Sequence, residues 1–272
     1  MIYSYGLLIG LQSLLRGHIS REALKNVVVP VNYWRTLEYR LVFDELLPQS
    51  PDVILDIGSP KLFSLYVAER FGAEICATDI EEYFISDYGY FGAMRGIPSS
   101  RYRLLRADGR KLQFADGAFN KVFSISVLEH IPGEGDSECM KEIGRVLGPG
   151  GLCVLTVPFA PRSRDEFRRA KDFYWSSKSG EARESGEVFF QRRYSELDLK
   201  ERLVGPSGLS IRKIGYFGER LALREGAEIA HYLPPVTGIV QPLASRLFHV
   251  GPLDSWQAIP KPLGAIVVLE KR

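Results

Sequence analysis

The sequence is poor in the residues that build disulfide frameworks and structural metal sites. Its 272 residues include only three cysteines and four histidines, which are scattered and show no C-x-x-C spacing. A structural zinc site needs about four such ligands at short spacings, so we expect no metal. Cys76 and Cys153 lie within apolar runs that predict buried strands. We therefore expect reduced core thiols and a cytoplasmic location.

Long hydrophobic runs and a large net charge are also absent. The apolar segment 5–15 contains Gln12 and Ser13 and stops at Arg16, short of the roughly 20 residues of a membrane-spanning helix. It has no basic start and no small-residue cleavage site, so a packing helix is favoured over a signal peptide or anchor. The net charge of +2 is too small to indicate a nucleic-acid partner.

Apolar runs that alternate with helical segments predict an α/β fold. Strands are predicted at 53–55, 74–78, 102–106, 121–126, 152–157, 210–217 and 265–270, and helices at 62–70 and 137–147. This alternation is typical of parallel βαβ units with right-handed crossovers. We expect a doubly wound, Rossmann-like sheet of seven strands with helices on both faces.

Two regions lie outside this alternation. Residues 21–47 have a helical pattern closed by prolines, so we expect residues 1–50 to form a helical lid and 51–272 to form the main domain. An insertion is expected at about 221–262, between the last two strands. Its segment 233–256 is rich in proline and apolar residues. Packing on the domain or a homodimer interface is favoured there over contact with a membrane surface.

A ligand site is predicted where the first strand ends. The turn 56–61 reads DIGSPK, and ligands bind at the carboxyl ends of strands in doubly wound sheets. Gly58 would let the backbone approach a ligand, and the helix that follows offers unpaired N–H groups. Asp79 ends the second strand and could accept from both hydroxyls of a ribose. An ordinary turn and a solvated helix cap are the alternatives, but the spacing favours a ribose-bearing ligand.

Two longer motifs lie in the middle of the chain. Residues 106–131 read RADGRKLQFADGAFNKVFSISVLEHI, and residues 141–152 read KEIGRVLGPGGL. Together they resemble the motifs of class I S-adenosylmethionine-dependent methyltransferases, in particular those similar to methyltransferase type 11. In that family an acidic residue, an Asp-x-x-Phe-Asp segment, a Leu-Glu-His strand end and a Pro-Gly-Gly turn follow in this order. The resemblance extends over about residues 53–159.

The resemblance implies S-adenosylmethionine as the cofactor and a set of residues that would bind it. They lie at strand ends: Asp56, Gly58, Ser59, Asp79, Ile80, Asp108, Gly109 and Ser126. The turn residues Asp56 and Gly58 would line the methionine end, and Asp79 would hold the ribose. Ile80 would sit against the adenine, whose amino group would donate to Asp108. Ser126 would face the cofactor near its sulfur.

The turn departs from the family pattern at one position. Pro60 stands where the family has a second glycine, and proline removes a backbone N–H. Lys61 could compensate by pairing with the cofactor's carboxylate, although a lysine at a helix start is more often solvated. A variant loop that still binds cofactor is favoured over a degenerate domain.

The acceptor chemistry is less well defined. His130 is the predicted catalytic residue, because an imidazole suits deprotonation of a hydroxyl; Glu129 is a weaker candidate, and His130 could instead only shape the pocket. Residues 33–40 and 161–175 should contact the acceptor. The arginines and aromatics of 161–175 could hold an anionic or sugar-phosphate substrate, but a solvated charged helix with an aromatic inner stripe is favoured.

These patterns predict a methyltransferase that acts on a small-molecule or glycan-type acceptor. The alternative is a non-catalytic binding module on the same fold, favoured by Pro60 and by the apolar late insertion. A nicotinamide-dependent oxidoreductase is disfavoured, because the Gly-x-Gly-x-x-Gly spacing is missing.

Overall fold

The computed structural model describes residues 2–169, 185–221, 238 and 240–272. Its helices are α1 Ile2–Leu15, α2 Arg21–Val28, α3 Tyr33–Leu46, α4 Lys61–Phe71, α5 Glu82–Met94, α6 Gly135–Val146, α7 Glu196–Asp198, α8 Gly205–Ser207 and α9 Val240–Phe248. Its strands are β1 Val53–Ile57, β2 Glu74–Asp79, β3 Tyr102–Arg106, β4 Phe119–Ile125, β5 Leu147–Pro158, β6 Arg164–Arg169, β7 Glu187–Arg193, β8 Ser210–Glu219, β9 His249–Leu253 and β10 Lys261–Glu270.

One large sheet organises the described residues. Its strand order is β3-β2-β1-β4-β5-β10-β8-β9. The five strands from β3 to β5 are parallel, and β10 runs antiparallel to both β5 and β8. The predicted doubly wound α/β fold is confirmed. The sheet has eight strands rather than seven, because the late insertion adds β9 at the edge beside β8.

Alternate residues of the strands belong to two hydrophobic cores, one on each face of the sheet. Ile54 belongs to the core that contains α1, α3, α4 and α5, whereas Leu55 belongs to the core formed with α6 and the helical stretch 196–207. Both side chains are fully buried. This period of two with both faces covered explains why the strands appear in the sequence as continuous apolar runs. Cys76 and Cys153 are buried free thiols, as predicted, and Cys139 is buried and free as well.

The N-terminal helices share the first of these cores. Tyr5 and Ile9 of α1 and Val42 of α3 pack with strand residues such as Ile125, so the described part of segment 1–50 is joined to the sheet by common packing. The proposed boundary at residue 50 stays a prediction. No helix among the described residues is long and apolar enough to cross a membrane.

One of the two regions predicted to contact the acceptor, 161–175, differs from expectation, whereas 33–40 lies on α3 as expected. Residues 164–169 form strand β6, which pairs antiparallel with β7, so the helix predicted over 161–175 is wrong for this stretch. The backbone of β6 forms hydrogen bonds with a strand about twenty residues away. Local periodicity in the sequence does not reveal such a distant partner. Positions 170–175 and 233–237 lie outside the described residues.

The part of the late insertion that the structure describes packs on the domain. Gln241 of α9 accepts a hydrogen bond from the Tyr33 N–H of α3 at 2.9 Å. On the other side of α9, Leu243 and Leu247 remain 55% and 69% exposed. Packing on the domain, one of the two favoured alternatives, is therefore observed for 240–253.

A fully buried carboxylate fixes the β6–β7 hairpin to the domain. Asp136 of α6 accepts from Arg192 at 2.9 Å, from the Tyr194 hydroxyl at 2.8 Å and from Arg202 at 2.7 Å. A buried carboxylate with this many donors is stable, whereas the loss of one partner is costly. The network ties β7 and the 196–207 helical stretch to α6.

Close packing of α6 against α8 gives a first prediction. A Cβ at Gly144 would lie 1.9 Å from the Ser207 carbonyl oxygen, whereas a Cβ at Gly89 of α5 would have its nearest contact at 3.8 Å. We expect Gly144→Ala to lower the free energy of unfolding by about 1–3 kcal/mol. Gly89→Ala should raise it by up to about 1 kcal/mol through helix propensity. Urea denaturation measures both, and equal stability of the Gly144→Ala variant and the wild type would contradict the packing.

Candidate active site

A cavity of about 820 Å³ opens at the carboxyl ends of β1, β2 and β4; we call it the first cavity. Its other walls come from α2, α3 and the residues after β3. Eight of the nine predicted site residues line it: Gly58, Ser59, Asp79, Ile80, Asp108, Gly109, Ser126 and His130. The carboxyl ends of parallel strands meet at one edge of the sheet, which brings together residues up to 72 positions apart in the sequence.

Asp56, the ninth predicted residue, lies behind the cavity wall. Its carboxylate is fully buried and accepts from the Ser59 N–H at 3.0 Å, from the Ser64 hydroxyl and from the Lys61 ammonium at 3.3 Å. Burial raises the pKa of Asp56, against the opposing charge of Lys61. Asp56 therefore shapes the turn from beneath.

Lys61 is buried between two carboxylates. Its Nζ lies 3.3 Å from Asp56 Oδ2 and 3.2 Å from Asp79 Oδ2, and it donates to the Ser59 carbonyl at 2.6 Å. Three acceptors match the three donors of an ammonium group. The arrangement is neither a solvated lysine nor one already free to meet a ligand, the two alternatives weighed from the sequence. It joins the turn after β1 to the end of β2.

Gly58 adopts a conformation that other residues rarely reach. Its φ is +66°, in the left-handed region that costs most L-residues about 1–2 kcal/mol. A Cβ there would also lie 2.6 Å from Val127 Cγ1. The Gly58 N–H donates to the Thr78 carbonyl at 2.9 Å, so this turn is tied to β2 through its backbone as well.

Asp79 and Ile80 present a polar and an apolar group side by side. Asp79 Oδ1 accepts from the Glu81 N–H at 3.0 Å and Oδ2 pairs with Lys61. Since each carboxylate oxygen can accept two hydrogen bonds, both retain capacity towards a pair of hydroxyls. The Ile80 side chain is 46% exposed and lies with Tyr83 and Phe84 along the cavity wall. An exposed apolar wall of this kind suits a flat ring.

Asp108 and Gly109 form the wall beyond β3. Asp108 pairs with Arg110 at 2.7 Å, and the hydrogen bonds from Arg110 hold the pKa of that carboxyl below its usual range. At Gly109 a Cβ would lie 2.8 Å from Cys139 Sγ. Glycine is therefore required there by packing against α6.

Ser126 lies at the end of β4 with a φ of 49°, a strained conformation for a non-glycine residue. Its hydroxyl donates to Glu38, and its N–H donates to the Thr156 carbonyl at 2.9 Å. Strained residues held by surrounding contacts concentrate at functional sites. Ser126 and His130 both line the cavity, and a place for Ser126 near the sulfur of the cofactor stays a prediction.

Glu38 is a site residue that the sequence analysis did not single out. It is buried on α3 and accepts from Ser126, from the Thr156 hydroxyl at 3.0 Å and from Arg35 at 2.6 Å. It thereby fixes α3 over the ends of β4 and β5. Its only sequence signal is its place within 33–40, a segment already predicted to contact the acceptor.

A second cavity of about 930 Å³ adjoins the first. The two share Asn32, Trp34, Arg35, Ser126 and His130, and we call this shared wall the junction. The β6–β7 hairpin, the end of β5 and the start of β10 complete the second cavity. Both cavities therefore border the junction.

His130 and Glu129 have opposite protonation tendencies at this junction. His130 Nδ1 lies 2.7 Å from the Phe190 carbonyl; a carbonyl only accepts, so Nδ1 carries the proton and Nε2 the lone pair. Burial lowers the pKa of His130 to about 4. Glu129 is 1% exposed, its Oε2 has no hydrogen-bond partner among the described residues, and burial raises its pKa to about 8. His130 Nε2 and Glu129 Oε1 are 3.8 Å apart.

The described residues of the site do not form a cluster of metal ligands. Among the described residues, no group of three or more histidine, cysteine, aspartate or glutamate side chains is placed to hold a metal ion. Carboxylates, hydroxyls and apolar side chains line the first cavity instead.

Comparisons with known proteins agree with this geometry. Residues 55–155 match the family model of the methyltransferase domain. A sterol 24-C-methyltransferase of Gibberella zeae is 30% identical over 102 residues, which is 37% of this chain and 25% of that protein. The chain thus aligns with only about a quarter of the length of this curated relative.

Solved structures share the fold at low identity. A SAM-dependent methyltransferase from Methanosarcina mazei is 18% identical, with a TM-score of 0.54 over 85% of this chain and 96% of the other. The geranyl diphosphate C-methyltransferase of Streptomyces coelicolor A3(2) is 12% identical, with a TM-score of 0.55 over 88% and 76%. The match over residues 55–155, the order of the motifs and the sheet that carries them show that this part of the chain is a methyltransferase domain with the class I fold, and they support S-adenosylmethionine as its cofactor.

Proposed function

We propose that the chain transfers the methyl group of S-adenosylmethionine to a small-molecule acceptor. The observation that carries the proposal is the pair of cavities that meet at Ser126 and His130. The cofactor would occupy the first cavity and the acceptor the second, so that the two reactants meet at the junction.

The residues of the first cavity fit this cofactor. Asp79 retains acceptor capacity for the two ribose hydroxyls, and Ile80 offers an apolar surface to the adenine. Gly58 leaves room at the turn that a Cβ would fill. Pro60 removes one backbone donor, but the Lys61 bridge holds the turn and Asp79 in fixed positions. These features support a working variant loop rather than a degenerate one.

The chain's own contribution to the reaction is positioning and exclusion of water. The bound cofactor supplies a methyl group already activated on a sulfonium. Holding two reactants in line contributes roughly 7–11 kcal/mol. Glu38 fixes α3 over the junction, and α3 thereby covers the place where the acceptor would meet the cofactor.

We further propose that His130 contacts the acceptor. With its pKa lowered to about 4, the imidazole is unprotonated at neutral pH, and its Nε2 can accept a hydrogen bond from an acceptor hydroxyl. It is a weak base for the same reason. Glu129 is protonated at neutral pH, because burial raises its pKa to about 8, so only its ionised fraction could take a proton from the acceptor. His130 would then orient the acceptor, and proton uptake by Glu129 would become more effective as the pH rises towards 8.

The relatives support a small molecule as the acceptor. They are named for methylation of sterol and geranyl diphosphate, both small molecules with apolar skeletons. A glycan-type acceptor, a homodimer and a cytoplasmic location stay predictions. The non-catalytic alternative differs in one outcome: a binding module on this fold would take up no cofactor.

Cofactor binding tests the ribose assignment. We expect Asp79→Ala to weaken binding of S-adenosylhomocysteine at least tenfold, because a charged hydrogen bond to the diol contributes about 1.5–3 kcal/mol. Isothermal titration calorimetry measures the dissociation constant. Asp254→Ala, which alters an exposed carboxylate outside both cavities, is the control and should bind like the wild type. Undiminished affinity of Asp79→Ala would remove the ribose assignment.

Removal of the bridging lysine should affect stability and cofactor binding together. Lys61→Met leaves two buried carboxylates without their shared cation, and we expect a loss of about 3–5 kcal/mol in the free energy of unfolding at neutral pH. The loss should shrink as the pH falls, because burial raises the pKa of Asp56 and its protonated form no longer needs a cation. Lys200→Met breaks the exposed pair with Glu196 and should cost at most about 1 kcal/mol. Urea denaturation that shows equal losses for the two variants would contradict a structural bridge.

Glu129 should make stability depend on pH. Its pKa rises from 4.5 to about 8 in the folded chain, so its protonated form stabilises the fold fully below pH 4.5, and this contribution is lost as the pH rises to about 8. Relative to Glu129→Gln, the wild type should lose about 1.4 kcal/mol per pH unit across this window. Denaturation at a series of pH values measures the difference. A difference that does not vary between pH 5 and 8 would show that Glu129 is already ionised.

A further inference from the structure

The described residues that line the second cavity carry more positive than negative charge. Its cations are Arg35, Arg164, Arg168, Arg193 and Lys261, and its carboxyl groups are Glu38, Glu129 and Glu166. Burial keeps Glu129 protonated at neutral pH, because it raises the pKa to about 8. Lys261 pairs with the buried Glu219 at 3.4 Å, so the two carboxylates of this wall remain to balance four arginines.

The two carboxylates are already engaged. Glu38 accepts from Arg35 at 2.6 Å. Glu166 lies 2.6 Å from Arg193 and 3.6 Å from Arg164, so one carboxylate serves two guanidinium groups. Although burial alone would raise it, the hydrogen bond and charge of Arg193 hold the pKa of Glu166 below its usual range. Glu166 is thus fully ionised and still leaves the hairpin with a net positive charge.

Arg168 is an exposed contributor to the excess positive charge of the second cavity. Its guanidinium carbon lies 3.5 Å from the centre of the Phe190 ring, and within the described ranges it forms no ion pair with a carboxylate. Stacking on an aromatic face leaves the edge of a guanidinium and its N–H groups available to a ligand. The charge of Arg168 also contributes to the lowered pKa of His130, so it acts close to the junction.

Strand geometry explains why these charges converge. Arg164, Glu166 and Arg168 alternate along β6 and all line the cavity, as side chains at every second position of a strand do. On β7 the same alternation separates Arg193, which lines the cavity, from Arg192, which points to Asp136. The side chains of Arg164 and Arg168 are exposed to solvent and line the same open cavity as Arg193.

An apolar wall faces the hairpin. Phe159 and Phe217 are 1% and 2% exposed and line the cavity together with Phe190. The second cavity therefore combines cationic and apolar walls, which suits a molecule with a carbon skeleton and an anionic group.

We propose that the second cavity recognises an acceptor that carries an anionic group, a carboxylate or a phosphate, held by the guanidinium groups of Arg168, Arg164 and Arg193. This inference rests on the proposed function and specifies its substrate class. The phenylalanine wall takes the carbon skeleton and directs it towards the junction. Paired N–H donors of guanidinium groups match both kinds of oxyanion.

Matched amphiphiles test this inference. Octyl phosphate, octanoate and 1-octanol share one chain and differ only in the head group. Each is titrated calorimetrically into the full chain saturated with S-adenosylhomocysteine. We expect at least one anion to bind about tenfold more tightly than the alcohol, with the tighter anion identifying the group recognised. Raising the salt concentration should weaken the anions and leave the alcohol unchanged.

Two variants test whether Arg168 is responsible for the tighter binding of the anions. Arg168→Gln should weaken the anions about fivefold to tenfold and leave 1-octanol and S-adenosylhomocysteine unchanged. Arg212→Gln, which alters an exposed arginine on β8 outside the cavity, should change none of the four. Equal affinities for the alcohol and the anions, no binding of either anion, or an unaffected Arg168→Gln variant would overturn the inference while S-adenosylhomocysteine still binds. Failure of S-adenosylhomocysteine to bind would instead overturn the proposed function and this inference with it.

Discussion

A lysine buried between two aspartates sets the geometry on which the site depends. Lys61 begins α4, Asp56 lies on β1 and Asp79 ends β2, and the ammonium group lies within 3.3 Å of both carboxylates. Each of these charges would cost several kcal/mol if it were buried alone, so the three must remain together. Their distances fix where the turn after β1 stands relative to the carboxylate proposed to hold the ribose. Lys61 directly follows Pro60, and its contacts with Asp56 and with the Ser59 carbonyl hold the turn from within.

The junction depends on a second network with a different physical basis. Glu38 connects α3 to Ser126 and Thr156, at the carboxyl ends of β4 and β5. These contacts hold Ser126 in a left-handed conformation that a serine would not adopt by itself. The N-terminal helices consequently form part of the site as well as of the core. One end of the site is held by an ion bridge and the other by a carboxylate that accepts from hydroxyl groups and a guanidinium.

The second cavity, which we propose takes the acceptor, is lined in part by an element outside the main sheet. The β6–β7 hairpin is attached to the domain by Asp136, which holds Arg192 and Tyr194, and its opposite face lines the second cavity. Because the attachment uses one face of the hairpin, the residues on the other face can vary without disturbing the sheet. The first cavity has no such freedom, since its residues belong to the ends of core strands. This division is consistent with a common cofactor and an acceptor specific to this chain.

The sequence by itself determined the fold class, five of the sheet strands to within two residues at both ends, and the residues at the strand ends that line the first cavity. These features depend on local periodicity and on the rule that parallel strands end at one edge of the sheet, both of which a linear pattern records. Only the tertiary structure decided the partners of Lys61, the role of Glu38, the strand at 164–169 and the protonation of Glu129. Each of these depends on groups distant in the sequence: Asp79 for Lys61, Ser126 for Glu38, β7 for β6, and burial by several elements for Glu129. Periodicity shows which side chains will be buried, but their charges and hydrogen bonds depend on which other elements surround them.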